Sequence, residues 1–233
     1  MNLLKKYFRT SVIAVVIASL FLVCISPSAN AGPSTILGTT GANPQSITID
    51  SSGNIYTANS TSNNVSKITP AGVSTILGTT GTKPLAITID SSGNIYTANE
   101  TARNVSKITP EGTVTSFGTT GTAPSGITID SSGNIYTANF SSNNVSKITP
   151  AGVSTILGTT GTGPSGITID SSGNIYTANQ DSNNVSKITP AGVSTILGTT
   201  GDGPRGITID SSGNIYTANF FSNNVSKIMA LDA

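Results

Sequence analysis

The chain has 233 residues, only 9% of them charged, with 11 Lys and Arg against 10 Asp and Glu, a single cysteine and no histidine or tryptophan. With no basic stripe to meet a phosphate backbone, nucleic acid is excluded as a partner, and so is a polybasic membrane-surface site. The lack of histidine removes the Ser-His-Asp triad, the usual general base and the commonest transition-metal ligand.

Residues 1–31 read as a secretory signal peptide. Lys5, Lys6 and Arg9 form its basic start, Thr10 to Ile25 are almost uninterruptedly apolar, and Ala29-Asn30-Ala31 is a small-residue cleavage site. Cleavage near Ala31 implies a secreted or extracytoplasmic protein, in a periplasm or at a cell surface. An uncleaved signal is the one expected route to a membrane. Cys24 lies inside this segment, so the mature chain would hold no thiol, disulfide or cysteine metal site.

From Pro44 a forty-residue unit is written five times, starting again at Pro84, Pro124, Pro164 and Pro204. Within a unit, β-branched and aromatic residues alternate, as in Ile47-Thr48-Ile49 and Ile55-Tyr56-Thr57-Ala58. Turn residues fall between these runs, at residues 50–54, 59–64, 69–72 and 78–81. Four short strands per unit follow, denoted a (46–50), b (54–58), c (64–69) and d (73–77).

A sheet of four short antiparallel strands cannot bury both faces alone and must stack on its neighbours, and radial stacking makes a β-propeller. The expected architecture of residues 32–233 is an all-β propeller of five four-stranded blades. Residues 33–41 repeat strand d with no blade before them, while the fifth copy stops where its strand d should begin. Pairing the first strand with the last c would close the ring and leave a monomer with no open edge. The alternative is a ring that closes only in an oligomer.

In such a ring the d–a and b–c loops share one face, the top. The a–b loop Asp50-Ser51-Ser52-Gly53-Asn54 is identical in all five copies, and the c–d loop varies only at Glu111. Differences collect instead at positions 42, 43, 45, 46 and 60–63 and their equivalents, all on the top. The candidate ligand-binding residues are therefore Gln45, Lys83, Glu100, Arg103, Phe140, Gln180, Asp181, Asp202, Arg205, Phe220 and Phe221. Phe140 and the Phe220-Phe221 pair are apolar aromatics in polar loops, where they need burial or a partner.

Asp50 with Gly53 reads as a tight hairpin, the carboxylate capping the turn and the glycine supplying a positive φ. One carboxylate without a closing glutamate is not a calcium loop. Asn59, Asn99, Asn139, Asn179 and Asn219 end strand b on the top side and would form a ring of five amides. They are weak calcium candidates, with Glu100, Asp181 or Asp202 as added charge; the structural alternative is hydrogen bonding to neighbouring backbone in the b–c turn. No other cofactor is expected. Lys67 and its copies lie near the Asp50 equivalents and read as solvated charges on packed stems.

The pattern P-x-G-I-x-I-D-x-x-G-N-I-Y-x-A-N, followed by N-x-V-x-K-I-x-P-x-G, resembles the NHL-type propeller repeat. Asn54–Asn59 is also similar to the core of the YVTN repeat of extracytoplasmic proteins. The resemblance covers nearly the whole mature chain and implies a propeller commonly used as an interaction platform. Architectural relatives are the streptogramin lyases, which use a histidine this chain lacks, and gluconolactonase-like enzymes, which hold a metal with acidic and asparagine side chains. Here only the asparagines recur. The expectation is a secreted, non-catalytic propeller that binds a protein, peptide or glycan through its top loops. The alternatives are a metal-dependent lactonase or lyase, and a structural surface protein with no specific ligand.

Overall fold

Each forty-residue unit turns its alternating residues into one antiparallel sheet whose hairpins are locked by local chemistry. A computed structural model describes residues 34–229, of which Ile36 onward forms one unit. The proposed signal peptide lies outside the described residues. No helix among the described residues is long and apolar enough to cross a membrane.

The first blade consists of β1 (Pro44–Ile49), β2 (Ile55–Asn59), β3 (Asn64–Ile68) and β4 (Ser74–Thr79), hydrogen-bonded in that order. The second contains β5 (Pro84–Ile89), β6 (Ile95–Asn99), β7 (Asn104–Ile108) and β8 (Val114–Thr119). The third contains β9 (Pro124–Ile129), β10 (Ile135–Asn139), β11 (Asn144–Ile148) and β12 (Ser154–Thr159). The fourth contains β13 (Pro164–Ile169), β14 (Ile175–Asn179), β15 (Asn184–Ile188) and β16 (Ser194–Thr199). The fifth has three strands, β17 (Pro204–Ile209), β18 (Ile215–Asn219) and β19 (Asn224–Ile228). These boundaries lie within two residues of those expected from the sequence.

The a–b turn is built as the sequence suggests. The Asp50 Oδ1 accepts the N–H groups of Ser52 (2.9 Å) and Asn54 (2.8 Å), and Gly53 takes φ +80°. The carboxylate does more than cap the turn, because its Oδ2 accepts from the Asn54 amide (2.8 Å) and the Tyr56 hydroxyl (2.9 Å). The remaining four copies make the same set of bonds. At the other end of the hairpin the register slips between Pro44 and Ser46, where proline has no N–H to give to the ladder.

The hydrophobic core lies between blades. Tyr56, Ala58 and Val65 of one blade meet Ile87, Ile95 and Ile108 of the next, and the equivalent tyrosines, valines and isoleucines repeat the contact along the chain. The innermost strands pack in sequence, β1 on β5, β5 on β9, β9 on β13 and β13 on β17. Close approach needs glycine at Gly78, where a Cβ would stand 2.8 Å from Val114 Cγ2 and 3.1 Å from Ile108 Cγ2.

No corresponding packing joins β17 back to β1. Ile47 is 67% exposed where its equivalent Ile87 is 7%, and Val225 is 68% exposed where Val65 is fully buried. The expected closure, with residues 33–41 pairing on the last blade, is therefore corrected: β19 has no fourth strand among the described residues. The segment from Ile36 to Gly41 lies instead on the first blade, in the place a strand d takes on the blade after its own. Thr39 N–H donates to Ser74 Oγ (2.9 Å) as Thr119 does to Ser154 (3.0 Å), and Gly41 N–H donates to Ser66 Oγ (2.9 Å) as Gly81 does to Ser106 (3.0 Å). The turn from blade to blade is set by near-identical interfaces, and in this arrangement the four that join the five blades leave an open arc.

Candidate binding face

The two variable loops of each blade are joined by main-chain hydrogen bonds, so the residues that differ between repeats lie side by side. Glu100 N–H donates to Lys83 O (2.9 Å), Phe140 to Ala123 O (2.9 Å), Gln180 to Gly163 O (2.8 Å) and Phe220 to Gly203 O (2.8 Å). Backbone therefore holds the face together whatever side chains the loops carry. Asn63, Asn143 and Asn183 tie successive blades, their amide oxygens accepting the N–H groups of Lys83 (2.7 Å), Gly163 (2.9 Å) and Gly203 (2.9 Å).

One group of the expected residues converges where the fourth and fifth blades meet. The guanidinium carbon of Arg205, at the start of β17, stands 3.8 Å from the centroid of the Phe220 ring and 5.7 Å from that of Phe221. Its Nε donates to Gln180 Oε1 (3.0 Å) across the blade boundary. The two phenyl rings pack edge to face at 5.1 Å, and Phe221 lies over Gly203, whose missing side chain makes room for it. Asp202 Oδ1 accepts from the Asn183 amide (3.0 Å) in the same neighbourhood. Phe220 and Phe221 remain 56% and 61% exposed, so this aromatic surface is held in place without being buried. A groove of about 460 Å³ runs beside it, lined by Arg205, Phe220, Asn223 and Val225 among others.

The other expected residues stand apart from this cluster. Lys83 forms an ion pair with Glu100 on the second blade, and Gln45 Nε2 donates to Asn43 Oδ1 (2.9 Å) on the first. Arg103 and Asp181 are exposed on their loops, with Asp181 folded over Gly163, and Phe140 is half-buried.

The five asparagines at the ends of the b strands do not present their amides to a shared site. Asn139 is fully buried, its Nδ2 donating to Asn144 Oδ1 (2.7 Å) and Ser146 Oγ (2.9 Å) and its Oδ1 accepting from Thr137 Oγ1 (3.0 Å). Asn59, Asn99, Asn179 and Asn219 repeat this arrangement. Their partners are chiefly side chains rather than the expected backbone, since Ser66 and Asn64 lie directly across the b–c hairpin. Among the described residues no three His, Cys, Asp or Glu side chains are grouped to hold a metal ion.

On the opposite face the Asp50-type carboxylates are the main electrostatic feature. Partial burial pushes the carboxyls of Asp90, Asp130 and Asp170 up, but the donated hydrogen bonds of the turn outweigh it and hold them below their ordinary range. Asp210, where the Asn214 amide bond dominates, is lowered to about 2. Burial, and then the bond to the carboxylate, raise the Tyr56 and Tyr176 hydroxyls to about 12. The Lys67 copies stand across the sheet from the tyrosines that bond these carboxylates. Each lies over the ring of the tyrosine beside it in the sheet, at 5.6–5.9 Å from the centroid.

Two features escape a reading of the sequence. The pairing of Gln180 with Arg205 joins positions 25 apart that become neighbours only once one blade is laid on the next. The tyrosine hydroxyl on the turn carboxylate is foreshadowed by the invariance of both residues, but an invariant repeat position does not reveal its partner.

Of the solved structures, virginiamycin B lyase from Staphylococcus aureus matches with a TM-score of 0.68 at 22% identity, over 82% of this chain and 71% of that one. A histidine-to-alanine variant of that lyase, described as catalytically inactive and solved with quinupristin, matches with a TM-score of 0.69 at 23% identity, over 83% and 71%. A nidogen/laminin complex matches with a TM-score of 0.68 at 19% identity, over 79% of this chain and 74% of that one. At these identities the likeness concerns the fold, which is a β-propeller in this chain too. No curated protein matches the sequence. The model of the virginiamycin B lyase family matches residues 33–232, nearly the whole chain after the first 32 residues, and the chain belongs to that family.

Proposed function

We propose that the protein is a non-catalytic binding propeller, acting outside the cytoplasm, that takes a protein, peptide or glycan on its variable loop face and needs no cofactor. The observation that carries this reading is the Arg205 cluster: in a chain of near-identical repeats, residues from positions where the copies differ assemble into a guanidinium stacked on an aromatic ring and fixed by an amide. Nε is used by Gln180, so the terminal nitrogens of Arg205 are left for carboxylate or carbonyl acceptors of a ligand. Phe221 beside them offers a flat apolar surface to a side chain or a sugar face.

The family match favours a second reading, a lyase acting on a cyclic peptide such as quinupristin. Against it stands the histidine. The lyase variant that lost one is described as catalytically inactive, and this chain contains none.

Both readings are tested with one set of probes: immobilised glycans, linear peptides and cyclic peptides including quinupristin, with and without calcium. The wild type is expected to retain ligands that the Arg205→Ala/Phe221→Ala double variant binds at least tenfold more weakly, and to return quinupristin with its ring intact, its chromatographic retention and fragment-ion pattern unchanged. Equal binding by the double variant overturns the assignment of this face. Conversion of quinupristin replaces the binding reading with the lyase one.

A further inference from the structure

The two ends of the arc are the two halves of a contact the chain already makes four times. We infer that the protein associates head to tail, the fifth blade of one copy seating on the first blade of a second, which supplies the missing fourth strand. This is independent of the ligand reading above.

The matching is residue for residue. At each internal boundary a tyrosine and a valine meet isoleucines of the following blade, as Tyr136 and Val145 meet Ile175 and Ile188. On the fifth blade Ala218 and Val225 are exposed and Tyr216, with Lys227 of its own blade over its ring, is half-buried, no following blade covering them among the described residues, and on the first blade Ile47 and Ile49 are 67% and 59% exposed.

Glycines on the innermost strands sharpen the fit. A Cβ on Gly126 would stand 2.7 Å from the carbonyl oxygen of Ser165 and 3.1 Å from Ile167, and Gly166 is covered in the same way by Arg205 O and Ile207. Gly206 meets only Ala218 of its own blade, at 3.6 Å. The groups that stand in its partner's place are Gln45 O and Ile47, at the other end of the chain.

The strand account closes as well. Ile36–Gly41 lies on the first blade as β4 lies on the second: Leu37 O would be 2.7 Å from a Cβ on Gly72, and Leu77 O 2.6 Å from one on Gly112. It is a strand d already docked on its following blade but with no strand c beside it among the described residues. β19 is a strand c with no strand d beside it among the described residues. Seating one copy on the next therefore brings the segment alongside β19 and completes the fifth blade in trans. The contact is heterologous, so it closes into a ring or continues as a filament according to the turn it makes. Phe221 stays accessible, because its equivalents Thr101, Ser141 and Asp181 are exposed in blades that do carry a following blade.

Light scattering on the purified protein is the test, combined with two variants that each spoil one end, Ile47→Asp and Val225→Asp. The wild type is expected at twice the chain mass or more, and each variant alone at the mass of one chain. Mixed in equal amounts, the variants restore one intact contact and should give a dimer that grows no further. A monomeric wild type, oligomeric single variants, or a mixture that stays monomeric would each overturn the inference. Hydrogen exchange on the wild type provides a check that needs no variant. Protection of the amides of Asn224–Ile228 should rise with protein concentration, and protection independent of concentration means that the ring closes within one chain.

Discussion

The a–b turns and the loop face lie at opposite ends of the same hairpins, yet one is identical in all five copies and the other is where the copies differ. The difference follows from which atoms hold each end together. In the a–b turn a single carboxylate receives two backbone N–H groups, one amide and one tyrosine hydroxyl, so every residue named depends on Asp50 or its copy. On the loop face the d–a and b–c loops are tied by main-chain bonds such as Glu100 N–H to Lys83 O, which any side chain tolerates. Invariance here reports side-chain bonding, and variation reports backbone bonding.

The strongest way to break that contrast is to remove a carboxylate from an interior blade. Asp130→Ala strips the turn of four acceptor contacts and leaves the Tyr136 hydroxyl, in a side chain only 5% exposed, without its partner. The expected cost is about 3 kcal/mol. Calorimetry should show the melting temperature falling by roughly 6–12 °C. A loss as small as that of a surface substitution would mean that the carboxylate is not what holds the turn.

The same groups predict an acid limit. The folded-state pKa of each turn aspartate lies below its ordinary 3.8, and that of Asp210 lies at about 2. A carboxyl lowered in this way adds stability that is fully present above its unfolded value and is lost as pH falls through the folded one. Thermal melts should therefore be insensitive to these groups near neutrality and fall from about pH 4 toward pH 2 as the five turns protonate. The tyrosines act at the other end of the scale. Their raised values keep them neutral, and the stability they add is lost only as pH climbs from 10 toward about 12.

Much of this is legible in the sequence. Periodicity of two and the turn residues located every strand to within two positions, and Asp50 with Gly53 announced the hairpin, because those are local properties of the chain. The open arc was not legible: whether five interfaces complete a circle depends on the angle between blades, which no strand count contains. The asparagines were legible only in part, for a related reason: hydrogen bonding within the b–c turn was foreseeable, its side-chain partners were not. Asn139 in sequence looks like a ligand repeated around a ring, and only the pairing of β10 with β11 shows Ser146 and Asn144 within reach of its amide.

A smaller effect of opposite sign is expected on the loop face, where backbone rather than side chains does the holding. The equivalent positions 43, 83, 123, 163 and 203 all have φ between 56° and 67°, occupied by Asn, Lys, Ala, Gly and Gly. Alanine at 123 is the poorest of these, with a Cβ penalty and no side-chain group to bond locally. Ala123→Gly relieves that penalty and is offset in part by the greater freedom of an unfolded glycine. A net gain of about 0.5–1 kcal/mol is expected in urea unfolding. A loss would show that the loop is held by contacts of the alanine methyl group.

The smallest effect should come from the residue given the largest functional role. Arg205 is exposed; its stacking on Phe220 and its bond to Gln180 are surface interactions, open to water on one side. Arg205→Ala should therefore change the urea midpoint by no more than about 0.5 kcal/mol of stability, well below Asp130→Ala. That disparity separates a binding residue from a structural one. If Arg205 instead proved as costly to remove as the turn aspartate, its cluster would be a clamp between the fourth and fifth blades, and the retention of ligands by Phe221 alone would become the measurement on which the loop-face reading rests.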